Sequence, residues 1–252
     1  MRTTLSNTEP GGPWAVIFDM DGTMVDNRAY HEAAWIELGH RYQLPITAEF
    51  YRQKLHSKSN AVIICALFGA QADHGLIRRI TDEKELIYRE LYAPHAREVP
   101  GLTALLVELQ KDAVPCAVVS NSPRVNVDFI LDRLDLRDFF RCTLTADEVT
   151  RSKPDPELVC TAAATVGVSP ARCMVLEDSV SGFLSAERAG APYVIITYDA
   201  DPAHVAEFRN RAAAVYNNFT EICPLRLREL LAWKQCKGQS SAPKPVGAHI
   251  AL

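Results

Sequence analysis

An apolar run, Trp14-Ala15-Val16-Ile17-Phe18, opens directly onto Asp19-Met20-Asp21-Gly22-Thr23-Met24-Val25-Asp26. A run that short, rich in aromatic and β-branched residues, reads as a strand buried on both faces. In open α/β sheets ligands bind beyond the carboxyl ends of such strands, which is where the two acids stand. Residues i and i+2 share a face of a strand. Asp19 and Asp21 are therefore expected to point together, with a Mg2+ ion to offset their repulsion. Gly22 lets the backbone turn sharply. An EF-hand also contains Asp-x-Asp-Gly, but it needs oxygen ligands upstream of the glycine, where this chain is apolar. A solvated turn after a strand is the remaining bland explanation.

Beyond Asp26 the pattern changes. From Arg28 to about Arg97 the periodicity is helical, with helices expected over Arg28–Tyr42, Thr47–Leu55, Asn60–Phe68 and Asp73–Tyr92. Thr47 can cap the second and Gly69 can end the third. From Gly101 strands and helices alternate. Strands are expected at Cys116–Ser120, Cys142–Thr145, Cys173–Glu177, Tyr193–Thr197 and Ala213–Tyr216, with a closing helix over Phe219–Trp233. Repeated β-α units imply an α/β fold, a parallel sheet with helices on both faces.

The expected organisation is a core of residues 13–27 and 98–233, with a helical bundle at 28–97 inserted after the first strand. Residues 1–12 read as a flexible lead-in, and 234–252, rich in Ser, Pro and Gly, as a disordered tail. Two short crossings, Val25–Ala29 and Pro94–Val99, suit the insertion to act as a lid.

Composition narrows the partners. A net charge of -4 gives no electrostatic footprint for nucleic acid. No apolar segment approaches membrane-spanning length; Ala61 to Ala70 reads as a buried helix. The first residues lack an apolar signal core, so a cytoplasmic location is expected. The seven cysteines include no Cys-x-x-Cys pair and read as reduced and structural.

Three further polar clusters fall at expected strand ends. In Val118-Val119-Ser120-Asn121-Ser122, the hydroxyl and amide donors leading into a helix suit a phosphate oxygen, although a serine there is also an ordinary helix cap. In Arg151-Ser152-Lys153-Pro154-Asp155-Pro156, the flanking prolines restrain a lysine that can hold a fixed positive charge beside a phosphoryl group; an exposed surface lysine is the plain alternative. In Val175-Leu176-Glu177-Asp178-Ser179, adjacent acids after a buried strand are costly unless paired or metal-bound. Asp178 is placed to complete a Mg2+ site with Asp19, and Glu177 to orient the ion's water or pair with Lys153, while Asp178 or Ser179 also suits a helix cap.

In order and character these four clusters resemble the haloacid dehalogenase superfamily of phosphoryl-transfer enzymes, over Phe18 to Gly182. The insertion point resembles subfamily I. Asp26-Asn27-Arg28-Ala29-Tyr30-His31-Glu32-Ala33-Ala34-Trp35 resembles the cap entry of its β-phosphoglucomutase and sugar-phosphatase branch, as do Glu98-Val99-Pro100-Gly101 and Glu177-Asp178-Ser179-Val180-Ser181-Gly182. The resemblance implies a Rossmann-like core and a helical cap. It implies Mg2+ held by Asp19, the Asp21 backbone carbonyl and Asp178, with Glu177 beside them. Asp19 would be the nucleophile and Asp21 the proton donor and acceptor, with Thr23, Ser120 and Lys153 stabilising charge on the transferring group. His31 and Lys58 would approach on cap closure, with Asn121, Ser122 and Arg124 lining the substrate side; His31 near the hinge is equally suited to steering the lid. Two departures stand out. Ser57 occupies a place in the cap loop where glycine is usual, and the mutase's lysine after the serine is absent, Arg124 being the nearest substitute.

The leading expectation is a Mg2+-dependent phosphatase acting on a small phosphorylated metabolite, a sugar phosphate, as a monomer or weak homodimer. A sugar phosphomutase shares every core residue and is the alternative. A non-catalytic phosphate-binding protein is the third, disfavoured because binding alone needs no proton-transfer carboxylate beside Asp19.

Overall fold

The computed structural model describes residues 12–55, 58–198, 200 and 202–239. Six strands form one sheet, β1 Ala15–Phe18, β2 Cys116–Val119, β3 Cys142–Leu144, β4 Cys173–Glu177, β5 Tyr193–Ile196 and β6 Ala214–Tyr216, in the order β3-β2-β1-β4-β5-β6. All neighbours are parallel. The alternating β-α pattern thus forms the expected α/β core. Its strands are buried on both faces: Val16 and Phe18 join one apolar cluster, Ala15 and Ile17 the other. Helices α5 (Leu102–Lys111), α6 (Arg124–Arg133) and α10 (Pro224–Gln239) cover the first face. Helices α7 (Glu157–Val166), α8 (Val180–Ala189) and α9 (Pro202–Phe208) cover the second. Because β2 and β4 flank β1 on opposite sides, the winding direction reverses there. The ends of β1 and β4 meet at the crevice where such sheets bind ligands.

A helical lobe follows β1: α1 (Arg28–Arg41), α2 (Ala48–Phe50) continuing as a π-turn at Tyr51–Leu55, α3 (Asn60–Phe68) and α4 (His74–Tyr92). Thr47 accepts the Phe50 amide as the cap of α2. α1 and α4 bury Trp35, Leu38 and Tyr88 between them. The two crossings run side by side, joined where Val25 bridges Glu98 and the Val99 amide donates to Met24. Arg97 pairs with Asp26 across them.

Several details differ from the sequence reading. α3 buries only Ile63 and Ile64, and Val62 is 52% exposed, because α3 packs against one side of α4 rather than inside the lobe. The last helix begins at Pro224, whose missing N–H and fixed φ suit a first turn and not an interior one. That helix continues to Gln239, past the expected start of the tail; the rest of the tail and the lead-in at 1–11 lie outside the described residues. Cys116 and Cys173 pack in the core, whereas Cys65, Cys160 and Cys223 are exposed. Among the described residues no helix is long and apolar enough to cross a membrane.

Candidate active site

The four clusters meet at one cleft of about 570 Å3 between the sheet's carboxyl edge and the helical lobe. Asp19 is the first residue past β1, held by its amide donating to Leu176 on β4. Its carboxylate accepts Lys153 Nζ at 2.6 Å and Thr23 Oγ1 at 3.1 Å. Lys153 Nζ also reaches Glu177 Oε1 at 3.2 Å. Oxygens of Asp19, Glu177 and Asp178 all lie within 4.8 Å of one another, and all three residues are buried. Glu177 is further fixed by the Asp178 amide and the Ser179 hydroxyl. Arg28 Nη2 approaches Asp178 at 3.4 Å.

This set fits a hard divalent cation. It is all oxygen, which is the ligand preference of Mg2+. Three buried carboxylates face one buried lysine and the edge arginine. Burial and the neighbouring Glu177 charge push Asp19 up to about 8, although Lys153 pulls the other way. The same carboxylates hold Lys153 above its ordinary value against the effect of burial.

Asp21 lines the cleft with Asp19 but does not join its carboxylate cluster, and the strand rule does not reach it. β1 ends at Phe18, and a tight turn takes over, in which the Met24 and Val25 amides both donate to Met20. The Asp21 carboxylate lines the same cleft as Asp19 but takes a different set of partners. Oδ2 accepts Ser122 Oγ at 2.7 Å and Ser120 Oγ at 3.2 Å. Oδ1 accepts Asn27 Nδ2 at 2.5 Å, and His31 Nε2 lies at 3.5 Å. Burial works to raise the Asp21 pKa, but His31, Ser122 and Asn27 outweigh it and hold the group at about 2. The three-carboxylate cluster is therefore Asp19, Glu177 and Asp178, without the Asp21 side chain.

The remaining expected residues divide. Ser120, Ser122, His31 and Lys58 line the cleft, while positions 56 and 57 of the lobe's loop, including Ser57, lie outside the described residues. Asn121 acts on the backbone, accepting the Lys153 amide at 2.9 Å and donating to its carbonyl at 3.0 Å. Arg124 is a correction. Its guanidinium is held by Glu148 and the Thr143 carbonyl, beside β3 and outside the cleft lining. Arg124 opens α6, and its guanidinium also pairs with Asp128 one turn along the helix.

Several cleft residues were missed. Asn27 bridges Asp21 and the Tyr88 hydroxyl, and Tyr88 stacks on His31 at 3.9 Å. Lys84 donates to His31 Nδ1 at 2.8 Å, which assigns the proton that faces Asp21 to Nε2. The spacing of Ile80, Lys84, Ile87 and Tyr88 puts Lys84 on the apolar face of α4 and was a readable sign of a buried lysine.

Gly22 adopts φ +80°, and a Cβ there would fall 2.2 Å from Asp178 Oδ2. Gly22→Ala is expected to cost about 1–2 kcal/mol from the left-handed backbone alone. It should also push Asp178 out of the cluster and weaken divalent-cation binding at least roughly tenfold, since one ligand is lost. Calorimetric unfolding and titration with Mg2+ check both; unchanged cation affinity would remove Asp178 from the ligand set.

Residues 16–196 match the haloacid dehalogenase-like hydrolase family. The chain is 31% identical over 212 residues to validoxylamine A 7'-phosphate phosphatase of Streptomyces hygroscopicus subsp. limoneus, covering 82% of this chain and 94% of that protein. It is 30% identical over 182 residues to β-phosphoglucomutase of Bacillus subtilis, covering 70% of this chain and 81% of that one. A crystal structure of a family IA, variant 3 hydrolase from Entamoeba histolytica has the same fold, with TM-score 0.80 at 24% identity, covering 87% of this chain and 99% of that one.

Proposed function

The chain is an enzyme of the haloacid dehalogenase-like hydrolase family, and on that premise we propose that it is a Mg2+-dependent phosphatase that hydrolyses a small phosphorylated carbohydrate through a phosphorylated Asp19. One observation carries the reading: Asp19 is grouped with Lys153 and two further buried carboxylates, and Asp21 lines the same cleft. Nucleophile, charge compensation and proton carrier therefore surround one small volume.

Asp19, Asp178 and the Asp21 backbone carbonyl would hold Mg2+, with Glu177 beside them. Bound there, the ion would neutralise the repulsion between a phosphate ester and the carboxylates. Asp19 attacks phosphorus and the ester P–O bond breaks; Asp21 supplies the proton that the leaving hydroxyl takes. Water then attacks the phosphorylated Asp19, Asp21 takes its proton, and inorganic phosphate leaves. Thr23, Ser120 and Lys153 donate to the transferring group's oxygens. Held at about 2 by its donors, Asp21 is ionised in the empty cleft. It takes up a proton from solvent as the entering ester displaces some of those donors, and gives that proton to the leaving oxygen, which ties the acid step to an occupied cleft. The helical lobe closes over this chemistry as a cap.

The substrate class follows from the opposite wall. Trp35 and Tyr51 line it with Lys58, Asn60 and Glu85. An aromatic face with amide and charged partners suits a hydroxyl-rich molecule, and the cleft's volume fits a small ligand. One relative is a phosphatase and another a phosphoglucomutase, which supports phosphoryl chemistry on such a substrate. Arg124 favours hydrolysis over internal transfer. A mutase must also hold a second phosphate, and the residue nearest to that task in sequence is paired with Glu148 instead.

A phosphate-release screen over sugar phosphates tests the reading, run beside conversion of β-glucose 1-phosphate to glucose 6-phosphate with and without a bisphosphate primer. Phosphate release is expected to outrun isomerisation; the reverse order would make the enzyme a mutase. EDTA should lower turnover by at least about a hundredfold and Mg2+ should restore it. Turnover that ignores the chelator would overturn the metal assignment.

A further inference from the structure

The helical lobe is also tied to the core through α6, apart from the crossings and from the Arg28–Asp178 and His31–Asp21 contacts. Asn126, in the first turn of α6, is fully buried, and both ends of its amide engage α4. Its Nδ2 donates to Glu85 Oε2 at 2.7 Å, and its Oδ1 accepts Arg89 Nη1 at 2.7 Å. Glu85 and Arg89 stand one helical turn apart on α4, so the amide's donor end meets the acid and its acceptor end meets the base. Neither a carboxylate nor an amine at position 126 satisfies both.

Glu85 extends the connection into the cleft. Its Oε1 accepts Asn60 Nδ2 at 2.7 Å and Lys84 Nζ at 3.0 Å. Lys84 in turn holds His31, which faces Asp21. Burial works to neutralise Glu85, yet the Lys84 charge and the amides of Asn60 and Asn126 hold its pKa below the ordinary value. On the core side, Asn126 stands three residues beyond the Ser120–Pro123 turn. The two crossings, joined by the Val25–Glu98 bridge, define an axis for the lobe but not an angle about it.

We propose that Asn126 is a positioning residue, a buried clasp between α6 and α4 that sets the closed angle of the helical lobe, so that Asn60, Lys84 and His31 stand over the Ser120–Ser122 turn. Its kinetic consequences rest on the phosphatase reading; its structural consequence does not.

Asn126→Asp keeps the acceptor for Arg89 but loses the donor to Glu85 and sets carboxylate against carboxylate. The double variant Glu85→Gln, Asn126→Asp restores a donor–acceptor pair of reversed polarity. Amide hydrogen exchange, read without any substrate, is expected to accelerate roughly tenfold over residues 25–29 and 93–99 in Asn126→Asp, the scale of one buried hydrogen bond. In the double variant it should return to within about threefold of the parent. The strands β1 and β4 should stay unchanged in both. Should Asn126→Asp fail to fold, Arg89→Gln removes the other half of the clasp and is expected to give about threefold acceleration over the same segments. With turnover as the readout, Asn126→Asp should raise KM for the sugar phosphate found in the screen about tenfold, while kcat for p-nitrophenyl phosphate stays within about threefold. Unchanged exchange over both crossings, or equal losses with the two substrates, would overturn the clasp. A parent protein without phosphatase activity would instead overturn the functional reading and leave the exchange result to judge the clasp alone.

Discussion

Asn in place of Asp19 is expected to lower kcat by about ten-thousandfold or more, because a carboxamide cannot form the acyl phosphate and no other carboxylate occupies its position. The same change should leave the fold intact or make it more resistant to heat. Burial and Glu177 push Asp19 up to about 8, so at neutral pH the metal-free folded state favours the neutral acid, and folding must take up a proton that the unfolded chain does not bind. Asparagine is neutral and of the same shape. Its Oδ1 can still accept from Lys153, which now has Glu177 to itself as a charged partner. In chelator the variant's Tm should therefore equal or exceed that of the parent. Added Mg2+ should raise the parent's Tm more than the variant's, since binding to the folded state alone stabilises by mass action. Wild-type turnover in Asp19→Asn would remove the nucleophile. A large drop in its Tm would mean that the Asp19 carboxylate is a structural ion-pair partner rather than a reactive group kept under electrostatic pressure.

Much of this site was legible from local pattern, and what was not follows from how side chains are aimed. Asp19, Glu177 and Asp178 were found because each ends or adjoins a readable apolar run, and a parallel sheet brings the ends of such runs to one edge, while Lys153 was found from the prolines that restrain its loop. The order of those strands was not in the local pattern; that β4 lies against β1 is a long-range fact. That Asp21 stays out of the Asp19 carboxylate cluster was not readable from strand alternation, because β1 ends at Phe18 and the turn through Met20 takes over. Arg124 was misplaced because closeness in sequence to Ser120 says nothing about direction once α6 has begun. Glu85 and Asn126 were invisible for a different reason. A buried carboxylate on a helix looks like any solvated one until its partners, here Asn60, Lys84 and Asn126, arrive from other elements.

Lys153→Met should show the second large effect, and its two parts separate charge from shape. Methionine retains the apolar stem but leaves Asp19 and Glu177 facing each other without their shared cation. Breaking a buried pair by removing one partner costs about 3–5 kcal/mol, and the lysine is almost wholly enclosed. Losing a charged donor to the transferring group should lower kcat by about a hundred- to a thousandfold. The stability loss should be partly recoverable. A divalent cation bound by Asp19 and Asp178 would supply some of the missing positive charge, so Mg2+ should raise the variant's Tm by more than it raises the parent's. Lys153→Arg keeps the charge but replaces a compact ammonium with a planar fork, at a loop whose backbone Asn121 clamps on both sides. It should recover stability more fully than activity. If Mg2+ fails to narrow the gap between Lys153→Met and the parent, the lysine and the metal do not answer the same carboxylates, and the shared-charge account of the site falls.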